Sequence, residues 1–213
     1  MSIFEFSLKY IKYFDHKKDL FLKITNKFGL ELYVTHIKDT SELLFVFEES
    51  KSKTLRSNNV KYTPEFLFPS TYFHRGAYTV LHESKFLILE LITKWQVTIQ
   101  NTVIIGFSHG GFLAQCLAYE LLCCTSLRPT LYIYGSAIIL SEDIQKCFLN
   151  NNIFIFQIII NKDVFHKFFS YYYDEIVSMK LILKSNKPIY CIKTNHNLSY
   201  YKYLLNDYFS SIR

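Results

Sequence analysis

No apolar run in this sequence is long enough to cross a membrane: the longest, residues 153–160, has eight residues and is broken by Gln157, against the roughly 20 that a spanning helix needs. The N-terminus reaches Lys9 and Lys12 before an apolar h-region forms, so it reads poorly as a signal peptide. Cysteine is sparse and odd in number: five residues, with no C-x-x-C, which argues against a disulfide framework and against a zinc site. These absences predict an intracellular, cytoplasmic protein. Charge of one sign is also modest, with 24 Lys and Arg against 18 Asp and Glu, a formal +6, so no nucleic-acid partner is expected. What is abundant is apolar and aromatic material. Half of the 213 residues are hydrophobic and 18% are aromatic, which excludes disorder, collagen and coiled coil and predicts one domain over residues 1–213.

Glycine is the most informative scarcity. Only six are present, and Gly106, Gly110 and Gly111 fall within six residues, which marks a backbone requirement at that place. Around it the pattern alternates. Residues 102–106 read as a buried strand, 110–124 as a helix, 130–135 as a strand, 142–149 as a short helix and 152–160 as a strand. A βαβαβ series implies a parallel sheet. Upstream, residues 31–38 and 42–47 read as a strand pair, 76–95 as one helix against the sheet, and the first 28 residues as a further helical segment. Downstream, 188–193 is expected as a last strand, 195–197 as a turn and 198–212 as a closing helix. Residues 51–62 carry Lys51, Lys53, Arg56 and Lys61 without an acidic residue. Both a solvated surface loop and a patch for peripheral contact with anionic phospholipid fit that composition.

The segment Gly106-Phe107-Ser108-His109-Gly110-Gly111 contains G-x-S-x-G between a strand and a helix, the context of a nucleophile elbow. Flanking glycines let the chain turn sharply, so that the serine stands above the sheet edge with the helix N-terminus facing it. The N–H groups there can donate to an oxyanion, and the residue after the nucleophile, His109, is the natural first donor. A serine hydroxyl needs a base, and the base an orienting acid. In α/β hydrolases these follow in the order Ser, acid, His. Asp163, on the loop leaving the run 158–160, fits the acid better than Asp143 or Asp174. His196, in the polar turn Thr194-Asn195-His196-Asn197, fits the base better than His166, which lies three residues beyond Asp163.

Over roughly residues 42–205 these segments resemble the fungal-type triacylglycerol lipases, or class 3 lipases, a branch of the α/β hydrolases. His74-Arg75-Gly76 resembles the family's helix-opening His-x-Gly. Residues 107–114 match its elbow and following helix apart from two positions, and Tyr134-Gly135-Ser136 resembles the segment ending its next strand. Asn161-Lys162-Asp163-Val164 resembles its acid segment, and His196 precedes Tyr200 and Tyr201 as the family's base precedes a Tyr-rich turn. The resemblance implies an α/β-hydrolase-like, mostly parallel sheet with helices on both faces, at minimal size without a cap domain. It implies a serine carboxylester hydrolase acting on lipid esters with Ser108, Asp163 and His196 as triad and no cofactor. Ser50 aligns with the second oxyanion donor. Two departures stand out: Phe107 replaces the usual His before the nucleophile, and Glu48-Glu49 replaces Arg-Gly beside Ser50. Acidic side chains near a developing oxyanion raise the barrier, so the alternative is an inactive lipase-fold protein that binds lipid or a protein partner.

Overall fold

Residues 43–47 and 103–107 are fully apolar except for Gly106 and are buried along both faces, as strands covered on two sides must be. In a computed structural model they become the centre of a seven-stranded sheet among the described residues, which are 3–15, 21–48, 64–68, 71–95, 99–164, 179–188 and 191–211. In chain order the elements are α1 (Ile3–Ile11), β1 (Leu22–Thr25), β2 (Glu31–Ile37), β3 (Glu42–Phe47), β4 (Pro64–Phe68) and β5 (Thr71–His74). They continue with α2 (Arg75–His82), α3 (Lys85–Trp95), β6 (Asn101–Phe107), α4 (His109–Cys124), β7 (Thr130–Tyr134) and α5 (Glu142–Asn150). The series closes with β8 (Ile155–Ile160), β9 (Met179–Leu183), α6 (Ile192–Asn195) and α7 (Leu198–Ser211). The large sheet runs β1-β2-β3-β6-β7-β8-β9. Its first two pairings are antiparallel, and every pairing from β3 onward is parallel. Strands β4 and β5 form a separate antiparallel pair.

The period of two along each strand sends alternate side chains to opposite faces. Leu43, Phe45, Phe47, Ile104 and Ile133 pack with Leu113, Ala114, Leu117 and Leu121 of α4 on one side, together with residues of α2, α3 and α5. Leu44, Val46, Ile105, Tyr134, Ile158 and Ile160 face the other way, where Tyr10 and Ile11 of α1 and Tyr201, Leu204 and Leu205 of α7 cover them. Helices therefore lie on both faces. Gly110, Ala114 and Ala118, spaced four apart, give α4 a stripe of small residues that permits its close seat: a Cβ at Gly110 would run into the carbonyl of Phe47.

Three expectations need correction. The helix expected over 76–95 is two, because Ser84 ends one and starts the next. Its N–H donates to Leu81 O at 2.8 Å and its carbonyl accepts from Ile88 N at 3.1 Å. Asn26 Nδ2 then ties Val80 O (2.8 Å) to Ser84 Oγ (3.0 Å). Among the described residues, which omit 189 and 190, the last strand is β9 and not 188–193: Cys191 N donates to Pro188 O while Asn195 N donates to Cys191 O. Donors used in turns are not offered sideways to a sheet. The first 28 residues hold not only a helix but also β1, which completes the antiparallel edge. Segment 51–62, with Lys51, Lys53, Arg56 and Lys61, lies outside the described residues, as does Ser50. Among the described residues no helix is long and apolar enough to cross a membrane.

Candidate active site

At the carboxyl end of β6 the chain turns from strand to helix within one residue. Ser108 takes φ 55° and ψ −123°, a region that an L side chain enters only where its surroundings hold it. Here its N–H donates to Tyr134 O at 2.9 Å, and its carbonyl accepts from Gly111 N at 2.9 Å. The turn is tight enough that a Cβ on Gly106 would collide with the backbone of Gly110 and Gly111. The result presents Ser108 above the sheet edge, next to the start of α4.

Asp163 is delivered by the next strand but one. The chain leaves β8 in a turn closed by Asp163 N donating to Ile160 O at 2.9 Å, and the side chain is 99% buried. His196 follows the single turn of α6. Asn195, fully buried, anchors that turn: its Nδ2 donates to Pro188 O at 3.0 Å, and its Oδ1 accepts from Ser185 Oγ at 2.8 Å. The Ser185 N–H in turn donates to Asn161 Oδ1 at 2.9 Å. The ends of β8, β9 and α6 are thus held as one unit, and His196 reaches back over β6. Its Nε2 lies 2.7 Å from Ser108 Oγ, and its Nδ1 lies 2.7 Å from Asp163 Oδ2. A carboxylate can only accept, so Nδ1 carries the hydrogen and Nε2 is left as the acceptor for the serine proton.

Sequence comparison finds no matching family model and no matching curated protein. Solved structures do match in fold. A fungal lipase in an inhibitor complex superposes with a TM-score of 0.58 at 13% identity, over 73% of this chain and 69% of that one. The triacylglyceride lipase of Rhizomucor miehei gives 0.59 at 14%, over 77% and 74%. Lipase II from Rhizopus niveus gives 0.57 at 13%, over 67% and 57%. The chain has the fungal-lipase form of the α/β-hydrolase fold. At such identities the likeness is one of backbone architecture.

In this lipase fold the sequence-named Ser108, Asp163 and His196 meet at the carboxyl edge of the sheet. His109 stands elsewhere with its side chain: it is 97% buried, and its ring meets Phe112 edge to face at 5.8 Å. Its backbone opens α4, where N–H groups have no acceptor within the helix. Glu48 is buried at the end of β3, where its carbonyl, like that of Phe47, backs Gly110. The rival base His166 and rival acid Asp174 lie outside the described residues, and Asp143 sits in the first turn of α5.

Sequence reasoning marked Phe107 only as a departure beside the nucleophile, and it missed Tyr201 as the residue that holds the acid. Phe107, fully buried, stacks under His196 with ring centroids 5.3 Å apart and planes at 27°, and meets Tyr201 edge-on at 5.8 Å. Tyr201 Oη donates to Asp163 Oδ2 at 2.7 Å and accepts from Ile160 N at 3.2 Å. Burial, and then the charge of and hydrogen bond to Asp163, push its phenol well above its usual 10, so it remains a donor. Gly135, at φ +58°, gives this cluster room, since a Cβ there would stand 3.0 Å from Tyr201 Oη. Only the Tyr-rich stretch after His196 hinted at Tyr201. Tyr201→Phe removes the donor to Asp163 and leaves the Ile160 N–H without its acceptor. It is expected to lower stability by about 1–3 kcal/mol, read as a loss of urea midpoint at unchanged m-value.

Proposed function

We propose that the protein is a serine carboxylester hydrolase of the lipase type, acting on lipid esters. The observation that carries this reading is the imidazole of His196, within 2.7 Å of both Ser108 Oγ and Asp163 Oδ2. Ser108 Oγ attacks the ester carbonyl while His196 Nε2 takes its proton, and the imidazolium then passes that proton to the leaving alcohol. Asp163 holds the tautomer and stabilises the charge that forms on the ring. Water repeats the cycle on the acyl-enzyme and regenerates Ser108. The oxyanion is received by the N–H of His109 at the start of α4, where the helix dipole adds to the hydrogen bond, with Ser50 N–H as the second donor. The lipase neighbours of the same fold support a lipid ester as substrate, and Lys51, Lys53, Arg56 and Lys61 would hold the enzyme against an anionic lipid surface.

A fluorophosphonate probe tests the reading directly. Wild-type protein is expected to be labelled, with the adduct on the peptide that contains Ser108, and Ser108→Ala is expected to be blank. An unlabelled wild type, or equal labelling of both, overturns it.

A further inference from the structure

Glu42 opens β3 at the end of the sheet opposite Ser108, and its side chain is 8% exposed. Tyr10 Oη donates to its Oε2 at 2.9 Å, and Lys9 Nζ stands 3.7 Å from the same oxygen. Oε1 is buried and has no hydrogen-bond partner among the described residues. A buried carboxylate served by one hydrogen bond and one loose ion pair is under-neutralised. The neighbouring phenols register its field: Tyr10, Tyr13 and Tyr132 are all pushed above their usual range, by burial first and then by the charge of Glu42. Nothing in the chemistry at Ser108 uses this group.

Glu42 lines a cleft of about 410 Å³, within the size range of small-molecule sites. Aromatic rings form one side. Tyr10 lies 4.6 Å from Tyr132, which stacks on Phe156 at 5.0 Å. Arg128 lines the cleft too, and its Nη1 donates to the carbonyls of Thr125 (3.2 Å) and Leu127 (2.9 Å). That fixes the guanidinium and leaves Nη2 and Nε for another acceptor. Glu42 pairs with Asn101 on β6, and Arg128 lies two residues before Thr130, which pairs with Val103. The acid and the guanidinium therefore flank β6, about two strand spacings or roughly 10 Å apart at the backbone.

We propose that this cleft binds a small zwitterion, its ammonium at Glu42 and its phosphate or carboxylate at Arg128. The ammonium supplies the donors that the carboxylate lacks and is attracted by the faces of the tyrosine rings. Lys9, with its side chain 38% exposed, gives way to it. The fork of Arg128 suits an oxyanion of either kind. From Asn101 to Phe107 the strand rises roughly 20 Å, so the ligand is not the ester held at Ser108, and the site stands whether or not the chain is a hydrolase.

Calorimetric titration of the full chain tests this, with O-phosphoethanolamine and 4-aminobutyrate as zwitterions and ethanolamine and inorganic phosphate as single-charge controls. At least one zwitterion is expected to bind saturably and tenfold or more tighter than the controls, and which one binds assigns the anion. Glu42→Gln and Arg128→Ala are each expected to weaken it at least tenfold, and Ser108→Ala to leave it unchanged. Arg128 is exposed, so its variant keeps the test valid if Glu42→Gln does not fold. The proposal is overturned if neither zwitterion exceeds the controls, if Arg128→Ala binds as wild type does, or if Ser108→Ala abolishes binding.

Discussion

His196→Ala is expected to lower kcat for hydrolysis of a soluble short-chain ester by on the order of 10⁴ to 10⁶, with KM nearly unchanged. The imidazole touches Ser108 Oγ and Asp163 Oδ2 at 2.7 Å each, so its removal strips the serine of its base and the acid of its partner at once. In the proposed mechanism both roles are exercised only as charge develops, which places the loss on kcat and not on substrate binding. Asp163 retains Tyr201 as a donor, which limits the cost in stability of leaving that carboxylate buried. Steady-state kinetics on the purified variant decides the matter, and a kcat within tenfold of wild type would remove His196 from the mechanism.

Gly106→Ala is expected to be severely damaging although it adds a single methyl group. The added carbon would meet the carbonyl of Gly110 and the amide of Gly111, which are backbone atoms and have no rotamer into which to retreat. Relief requires α4 to move off the sheet, away from Phe47 and Ser136, against which Gly110 and Gly111 are seated. Overpacking of this kind costs about 2–4 kcal/mol, which for a domain of this length lowers Tm by roughly 5–15 °C. Activity should fall with it, because Ser108 Oγ moves out of reach of His196 before the fold is lost. Thermal denaturation and fluorophosphonate labelling together separate the two effects. A variant with wild-type Tm and labelling rate would show that the elbow has slack absent from this structure.

Much of the fold was legible because it is local. The run 101–107 followed by Gly110 and Gly111 is a strand entering a helix whichever way the rest folds, and the alternation of residues 43–47 places Leu43, Phe45 and Phe47 together on one face. Boundaries failed where a tertiary contact intervened. Asn26, 58 residues from Ser84 in sequence, reaches across to the break between α2 and α3. Asn195 winds residues 191–195 into a turn because its amide finds Pro188 and Ser185, although 188–193 reads as a strand in the sequence. Likewise β1, four residues with one buried side chain, carries too little pattern to be seen without β2 beside it.

The site divides along the same line. By itself the sequence determined the elbow, since the steric demand of a strand-to-helix turn is met by residues within five positions of Ser108. The resemblance to the α/β hydrolases supplied the order in which acid and base follow. Only the tertiary structure decided that Asp163 and His196, 33 residues apart, meet each other and that His196 meets Ser108, 88 residues distant. It alone decided that Phe107 backs the imidazole, that Tyr201 holds the acid, and that Glu42 is buried at the far end of the sheet beside Tyr10. Backbone conformation is set by neighbours in the chain, whereas the partner of a buried polar group is set by which strands lie side by side. That order, β3-β6-β7-β8-β9, is written in no single segment.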